Sequence, residues 1–216
     1  MNISEDQYIG CFLGLALGDA LGAPYEGGIV EQLLWRVIGR TRKGELRFTD
    51  DTQMSLDLAQ SLLAKQALDQ DDLAQRFAQS YHWSRGYGPS AARLLKQVRK
   101  GKAWQVANKQ RYPQGSLGNG AAMRAPIIAL FKPYSLAEMT QATRLSAEVT
   151  HAHPLGIEGA VLIALTTTLL LQKPENPLAV LPQCEAPEFK ECLQVARTWL
   201  ETREPVKAKQ VAKTLG

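Results

Sequence analysis

The chain has 216 residues, of which 45% are hydrophobic, 21% charged and 7% aromatic, with a formal net charge of +4. That composition supports one sizeable core and excludes a disordered chain, while the small, unclustered basic excess argues against a dedicated nucleic-acid binder and suits a small anionic ligand. Cys11, Cys184 and Cys192 show neither metal-ligand nor C-x-x-C spacing, so they read as reduced thiols of a cytoplasmic protein.

In chain order, "MNISEDQ" is acidic where a secretory leader is basic. Ser4 and Gln7 form a capping box, and the helix they open runs to about Gly22-Ala23-Pro24. Its apolar run contains Asp19 and is shorter than the roughly 20 residues that span a bilayer, so no membrane partner is expected. Gly10, Gly14, Gly18 and Gly22 recur every fourth position, a bare stripe suited either to tight helix packing or to close approach of a ligand. Residues 24–48 have no clear period and hold Gly27, Gly28, Gly39 and Gly44, which reads as a long functional loop.

A helix then runs from Asp50 to about Ala67, with Met54, Leu58 and Leu62 on one line, and a third follows "DQDD" with Leu73, Phe77 and Tyr81. A fourth spans Pro89 to Gly101. The glycine-rich "RYPQGSLGNG" feeds a helix that Pro126 must start late or kink. Ser135 and Glu138 cap a helix to about Val149, a very apolar one runs from Pro154 to Gln172, Pro174, Pro177, Pro182 and Pro187 break the next stretch, and an amphipathic helix covers about Glu188 to Thr202. No stretch alternates strictly between apolar and polar residues, so the fold expected is all-α in a single domain over 1–216.

Three stretches could carry chemistry. In "TDDT", Thr49 is a good N-cap and Asp50 and Asp51 complement a helix start, which is a structural explanation; the doubled carboxylate beside hydroxyls is also an all-oxygen set for Mg²⁺ or Mn²⁺. In "GSLGNGAAMR", the exposed backbone N–H groups could cradle phosphate oxygens, and turns needing positive φ explain the glycines equally well. In "THAHP", His151 and His153 lack a third His or Cys nearby, so stacking on or hydrogen-bonding to a ligand fits better than a zinc site.

Taken in order, GD-x-LG…YE, TDDT, GSLGNGAAMR and THAHP resemble the ADP-ribosylglycohydrolase family, from about Tyr8 to Thr168. The resemblance implies an all-α, orthogonal multi-helix bundle with a central cleft, binding two divalent cations, Mg²⁺ or Mn²⁺, and cleaving ADP-ribose from a protein side chain or small molecule. It implies that Thr49, Asp50 and Asp51 ligate metal, and that Glu26, like Asp51, can act as a catalytic base. It further implies that Gly115, Ser116, Gly118, Asn119 and Gly120 hold the diphosphate and nearby ribose, with His151 lining the same cleft. Arg124 and His153 fall where the family varies or uses the residue structurally.

One departure stands out, because family members carry a second acidic run that supplies the other metal ligands and this chain has no aspartate after Asp72. The fold is therefore expected to be shortened at the C-terminus, with bare apolar surface prone to self-association. The function expected is a metal-dependent hydrolase that cleaves an N- or O-glycosidic bond to ADP-ribose. The alternatives are a catalytically degenerate ADP-ribose-binding protein, or a structural helical protein, that has lost half of its metal site.

Overall fold

The computed structural model describes residues 3–131, 135–172, 184–202 and 205–215. Among them lie eleven α-helices: α1 (Glu5–Gly22), α2 (Ile29–Ile38), α3 (Asp50–Lys65), α4 (Gln70–Ser80), α5 (Pro89–Arg99), α6 (Trp104–Asn108), α7 (Pro126–Leu130), α8 (Leu136–Glu148), α9 (Pro154–Gln172), α10 (Pro187–Thr202) and α11 (Ala208–Leu215). The described residues contain no strand, only an isolated bridge between Arg40 and Leu46. The fold is all-α, as the absence of alternation predicts.

Local chemistry sets the helix ends. Both capping boxes form, at Ser4 with Gln7 and at Ser135 with Glu138, each satisfying two otherwise orphaned backbone donors. Pro126 and Pro154 occupy first helical turns, where proline's fixed φ and missing donor cost nothing. Glu158, buried in α9, accepts from the N–H groups of Glu185 at 2.7 Å and Ala186 at 3.4 Å, and so anchors the start of α10. The stretch carrying Pro174, Pro177 and Pro182 lies outside the described residues.

The core forms where α3, α4, α5, α7, α8 and α9 pack together. Met54, Leu58 and Leu62 of α3 meet Leu73 and Phe77 of α4, Leu95 and Val98 of α5 and Ile128 of α7, all at most 1% exposed. At about 1.5–3 kcal/mol for each large apolar side chain fully buried, this cluster dominates the favourable side of folding.

Two expectations fail. Residues 24–48 are not one long loop, because Ile29–Ile38 is helical. Ile29, Val30, Leu33, Leu34, Val37 and Ile38 do fall at helical spacing, but the glycines on either side hid so short a run; in the structure Trp35 is buried while Ile29, Val30, Leu33 and Val37 face outward. The glycine stripe of α1 is not used for tight helix packing: among the described residues a Cβ at Gly10, Gly14 or Gly18 would meet no atom within 4 Å and one at Gly22 only Glu26 Oε1 at 3.5 Å, which leaves the stripe open to approach. Beside it Ile9, Leu13, Leu17 and Leu21 form an exposed line, and only Asp19 and Ala20 of this apolar helix are buried. The five-residue α6 is too brief to show a period, and α11 is not among the expected elements although Ala208, Val211, Ala212 and Leu215 fall at helical spacing.

Candidate functional site

Segments distant in sequence meet around a cleft of about 1060 Å³. Glu26, Thr49, Asp50 and Asp51 line one wall, and residues 115–120 with His151 and His153 line the other. The volume is at the upper end for small-molecule sites, which run to about 1,000 Å³.

The acidic wall is the N-terminus of α3. Thr49 is its N-cap, extended in backbone, with its hydroxyl accepting from the Asp51 N–H at 3.3 Å. The capping explanation of "TDDT" therefore holds, but α3 does not aim itself. Asp19, reaching across from α1, accepts from the Thr49 N–H at 2.9 and 3.0 Å, the Thr52 N–H at 3.0 Å and the Thr52 hydroxyl at 2.5 Å. This buried carboxylate is the site residue that sequence reasoning did not select; its signal was the "GD" of "LALGDALG".

Charge then accumulates on this wall. Burial first, then Asp51, with Asp19 and Glu26 behind, push Asp50 up to about 7; burial, then Asp19 and Glu26, push Asp51 up to about 7. Burial and Asp19 raise Glu26 as well. Such a corner favours a hard cation that would relieve the repulsion, and Asp50, Asp51 and the Thr49 hydroxyl are hard oxygen donors. In kind they fit Mg²⁺ or Mn²⁺. In number they are few: among the described residues no three His, Cys, Asp or Glu side chains gather where one metal ion could be held.

The opposite wall explains its own glycines. Gly115 has φ +91°, and a Cβ there would lie 2.3 Å from the carbonyl carbon of Ala152 and the amide nitrogen of His153, so only glycine fits. A Cβ at Gly120 would stand 2.4 Å from the His151 ring and one at Gly118 3.2 Å from it. The Ser116 hydroxyl accepts from the Gly118 N–H at 3.3 Å, and Asn119 is exposed on the loop. The N–H groups of Ser116 and Leu117 have no hydrogen-bond acceptor among the described residues.

The two histidines separate in role. His151 is buried, and its pKa is pushed down to about 3 by burial and then by Arg124, so the ring is neutral. His153 accepts from the Leu155 N–H at 3.2 Å and thereby caps α9. Arg124 is wholly buried, donating to the Gly120 carbonyl, to the Ser146 carbonyl at 2.7 Å and to the Thr150 hydroxyl at 3.0 Å. Arg111 and Tyr87 also line the cleft, the Tyr87 hydroxyl buried with no hydrogen-bond partner among the described residues; no sequence pattern pointed to either.

Known proteins arrange themselves around the same reading. Residues 1–216 match the family described as ADP-ribosylglycohydrolase. ADP-ribosylhydrolase ARH3 of Mus musculus is 39% identical over 186 residues, covering 78% of this chain and 50% of the relative. ADP-ribosyl-[dinitrogen reductase] glycohydrolase of Rhodospirillum rubrum is 35% identical over 161 residues, covering 70% of this chain and 53% of its own length. A solved ADP-ribosylglycohydrolase-related protein complex superposes with a TM-score of 0.61 at 25% identity, covering 88% of this chain and 66% of that one. The chain thus spans about half the length of the curated relatives it matches. With the match running from the first residue to the last, and with that fold, the chain belongs to the ADP-ribosylglycohydrolase family.

Proposed function

We propose that this chain removes ADP-ribose from an ADP-ribosylated protein side chain or small molecule by hydrolysing an N- or O-glycosidic bond. The observation that carries the reading is the meeting, across one cleft, of an acidic corner with a glycine loop that presents unpaired N–H groups. Gly115, Ser116, Gly118, Asn119 and Gly120 would receive the diphosphate and adjacent ribose, the N–H groups of Ser116 and of Leu117 beside it, unpaired among the described residues, being free to donate to anionic oxygens. His151 would hydrogen-bond the same ligand from beside Gly118 and Gly120. Thr49, Asp50 and Asp51 would hold Mg²⁺ or Mn²⁺. When bound, such a cation supplies positive charge to orient the ribose hydroxyls and to offset charge as the glycosidic bond breaks. Glu26, its pKa raised by burial and Asp19, and Asp51, pushed up to about 7, are the carboxylates suited to take a proton from the attacking water.

Purified protein with Mg²⁺ or Mn²⁺ is expected to release ADP-ribose from an ADP-ribosylated arginine or serine peptide, and Asp50→Ala to abolish release. The small number of ligating side chains favours a second reading, an ADP-ribose-binding protein without turnover. Heat of ADP-ribose binding by calorimetry with no release would select that reading, and no heat, with or without metal, would exclude both.

The bare apolar faces of α1 and α2 support a further proposal, self-association of this chain. Sedimentation is expected to show oligomers at micromolar concentration, and Leu13→Glu with Leu17→Glu to shift them to monomer; a wild-type monomer throughout would refute it.

A further inference from the structure

Among the described residues Arg124 makes no hydrogen bond or ion pair to a carboxylate, Asp50 acting on it only through space, which is unusual for a guanidinium 0% exposed. Its donors go instead to the Gly120 carbonyl, the Ser146 carbonyl and hydroxyl, and the Thr150 hydroxyl, while its guanidinium stacks 4.9 Å from the Phe77 ring centre. Thr150 in turn stands 2.8 Å from His151 Nδ1, and the His151 ring lies against Gly120. Arg124, Thr150, His151 and Gly120 therefore close a ring of contacts, joining the glycine loop to the turn after α8.

The protons in this ring are constrained. An arginine can only donate, so the Thr150 oxygen is the acceptor from Arg124. The hydroxyl proton of Thr150 then has one acceptor among the described residues, Nδ1 of His151. Accepting there, Nδ1 carries no proton, and a neutral imidazole must hold its proton on Nε2. Nε2 is the ring nitrogen nearest the Cβ position of Gly118, on the loop that lines the cleft.

We infer that Arg124 and Thr150 are positioning residues that fix His151 in its Nε2–H tautomer, making it a hydrogen-bond donor to an oxygen of the bound ligand. The inference deepens the proposed function and rests on it only for the ligand's identity, an anionic or hydroxyl oxygen of ADP-ribose. The absence of a side chain on Gly118 leaves room for that oxygen to approach. A tautomer chosen the other way would present a lone pair to the diphosphate and repel it.

The test is a long-range ¹H–¹⁵N correlation spectrum of the full chain at neutral pH, where three histidines are easily assigned by single substitution of His82 and His153. The expected wild-type pattern for His151 is Nε2 protonated and Nδ1 unprotonated. Thr150→Val is expected to shift the His151 Nδ1 resonance, which loses its hydrogen bond, and to weaken ADP-ribose binding about tenfold, the equivalent of about 1.4 kcal/mol for one hydrogen bond, while Thr150→Ser restores both. An Nδ1–H or doubly protonated His151 in the wild type, or an Nδ1 resonance unchanged in Thr150→Val, overturns the inference. If the Nε2–H pattern is present but ADP-ribose does not bind, the proposed function fails and the tautomer assignment stands.

Discussion

Asp19→Ala is expected to lower folding stability by about 3 kcal/mol and to abolish ADP-ribose release together. The carboxylate accepts from two backbone N–H groups and a hydroxyl, all at 2.5–3.0 Å in a buried setting. Hydrogen bonds to a charged group contribute about 1.5–3 kcal/mol each, and buried donors left unpaired cost about 1–3 kcal/mol more, so water entering the space left by the side chain is needed to keep the loss near that figure. An opposing effect exists, because Asp19 raises the pKa values of Asp50 and Asp51 and its removal relieves some repulsion. That effect is the smaller one: for both aspartates burial is the larger cause, whereas the hydrogen bonds are direct. Asp19→Asn separates the two, keeping an acceptor oxygen while deleting charge, and should lose about 1 kcal/mol with partial activity. Urea unfolding followed by circular dichroism checks the order wild type, Asn, Ala; an Ala variant with the wild-type midpoint would show that α3 holds its own start.

The second large effect is a stability that falls as pH rises. Asp50 and Asp51 shift from 3.8 to about 7 and Asp57 from 3.8 to about 6, the last by burial against bonds from Ser80 and Gln53. Between those values the folded chain holds protons that the unfolded chain has lost, so unfolding becomes easier with each step upward in pH. His151 works in the opposite direction, since its pKa falls from 6.5 to about 3 and its burial penalises the folded state in acid. One histidine against three carboxylates leaves the net slope negative from about pH 5 to 8. One unit is worth about 1.36 kcal/mol per group; after discounting for the partly wetted Asp50 and Asp51, a net loss of about 2 kcal/mol, or a Tm drop of about 4–8 °C, is expected. Millimolar Mg²⁺ or Mn²⁺ should recover much of that drop at pH 8 and do little at pH 5, and Asp50→Asn should flatten the slope. A thermal scan in chelator with a Tm independent of pH, or a Tm at pH 8 indifferent to metal, would contradict the assignment of Asp50 and Asp51 as cation ligands.

Helix ends were legible wherever a side chain closes its own cap. Ser4, Thr49, Ser135 and the prolines at 89, 126 and 154 act within three or four residues, and a local pattern contains them. The glycine loop and His151 were also legible as candidates, because residue type limits what they can do. What local pattern cannot contain is a contact across 30 or more residues. Asp19 read as one polar interruption of an apolar helix, and nothing nearby announced that its partners were Thr49 and Thr52. Arg124 looked like the end of a loop motif, yet among the described residues it is the most deeply buried cation, bonded to residues more than 20 positions away. In α2 the difficulty was different, since its apolar spacing was there to read but ran for only ten residues between glycines, and its apolar residues face outward in the structure.

The contact of Gly115 with the backbone of Ala152 and His153 has a thermodynamic consequence for ligand capture. With no side chain between the two strands of backbone, and with Arg124 tying Gly120 to the end of α8, the loop has almost no alternative conformations left to lose. Its ordering entropy is incurred when the chain folds, so a ligand meeting this wall gives up its own freedom but little of the protein's. The opposite side, with the three-residue turn Ala23–Tyr25 and the outward-facing α2, is held more loosely, by the Gln32 amide donating to the Tyr25 and Gly27 carbonyls at 3.2 Å. Adjustments to ligand size should therefore appear in the segment that carries Glu26, while the glycine loop keeps one shape whether the cleft is full or empty.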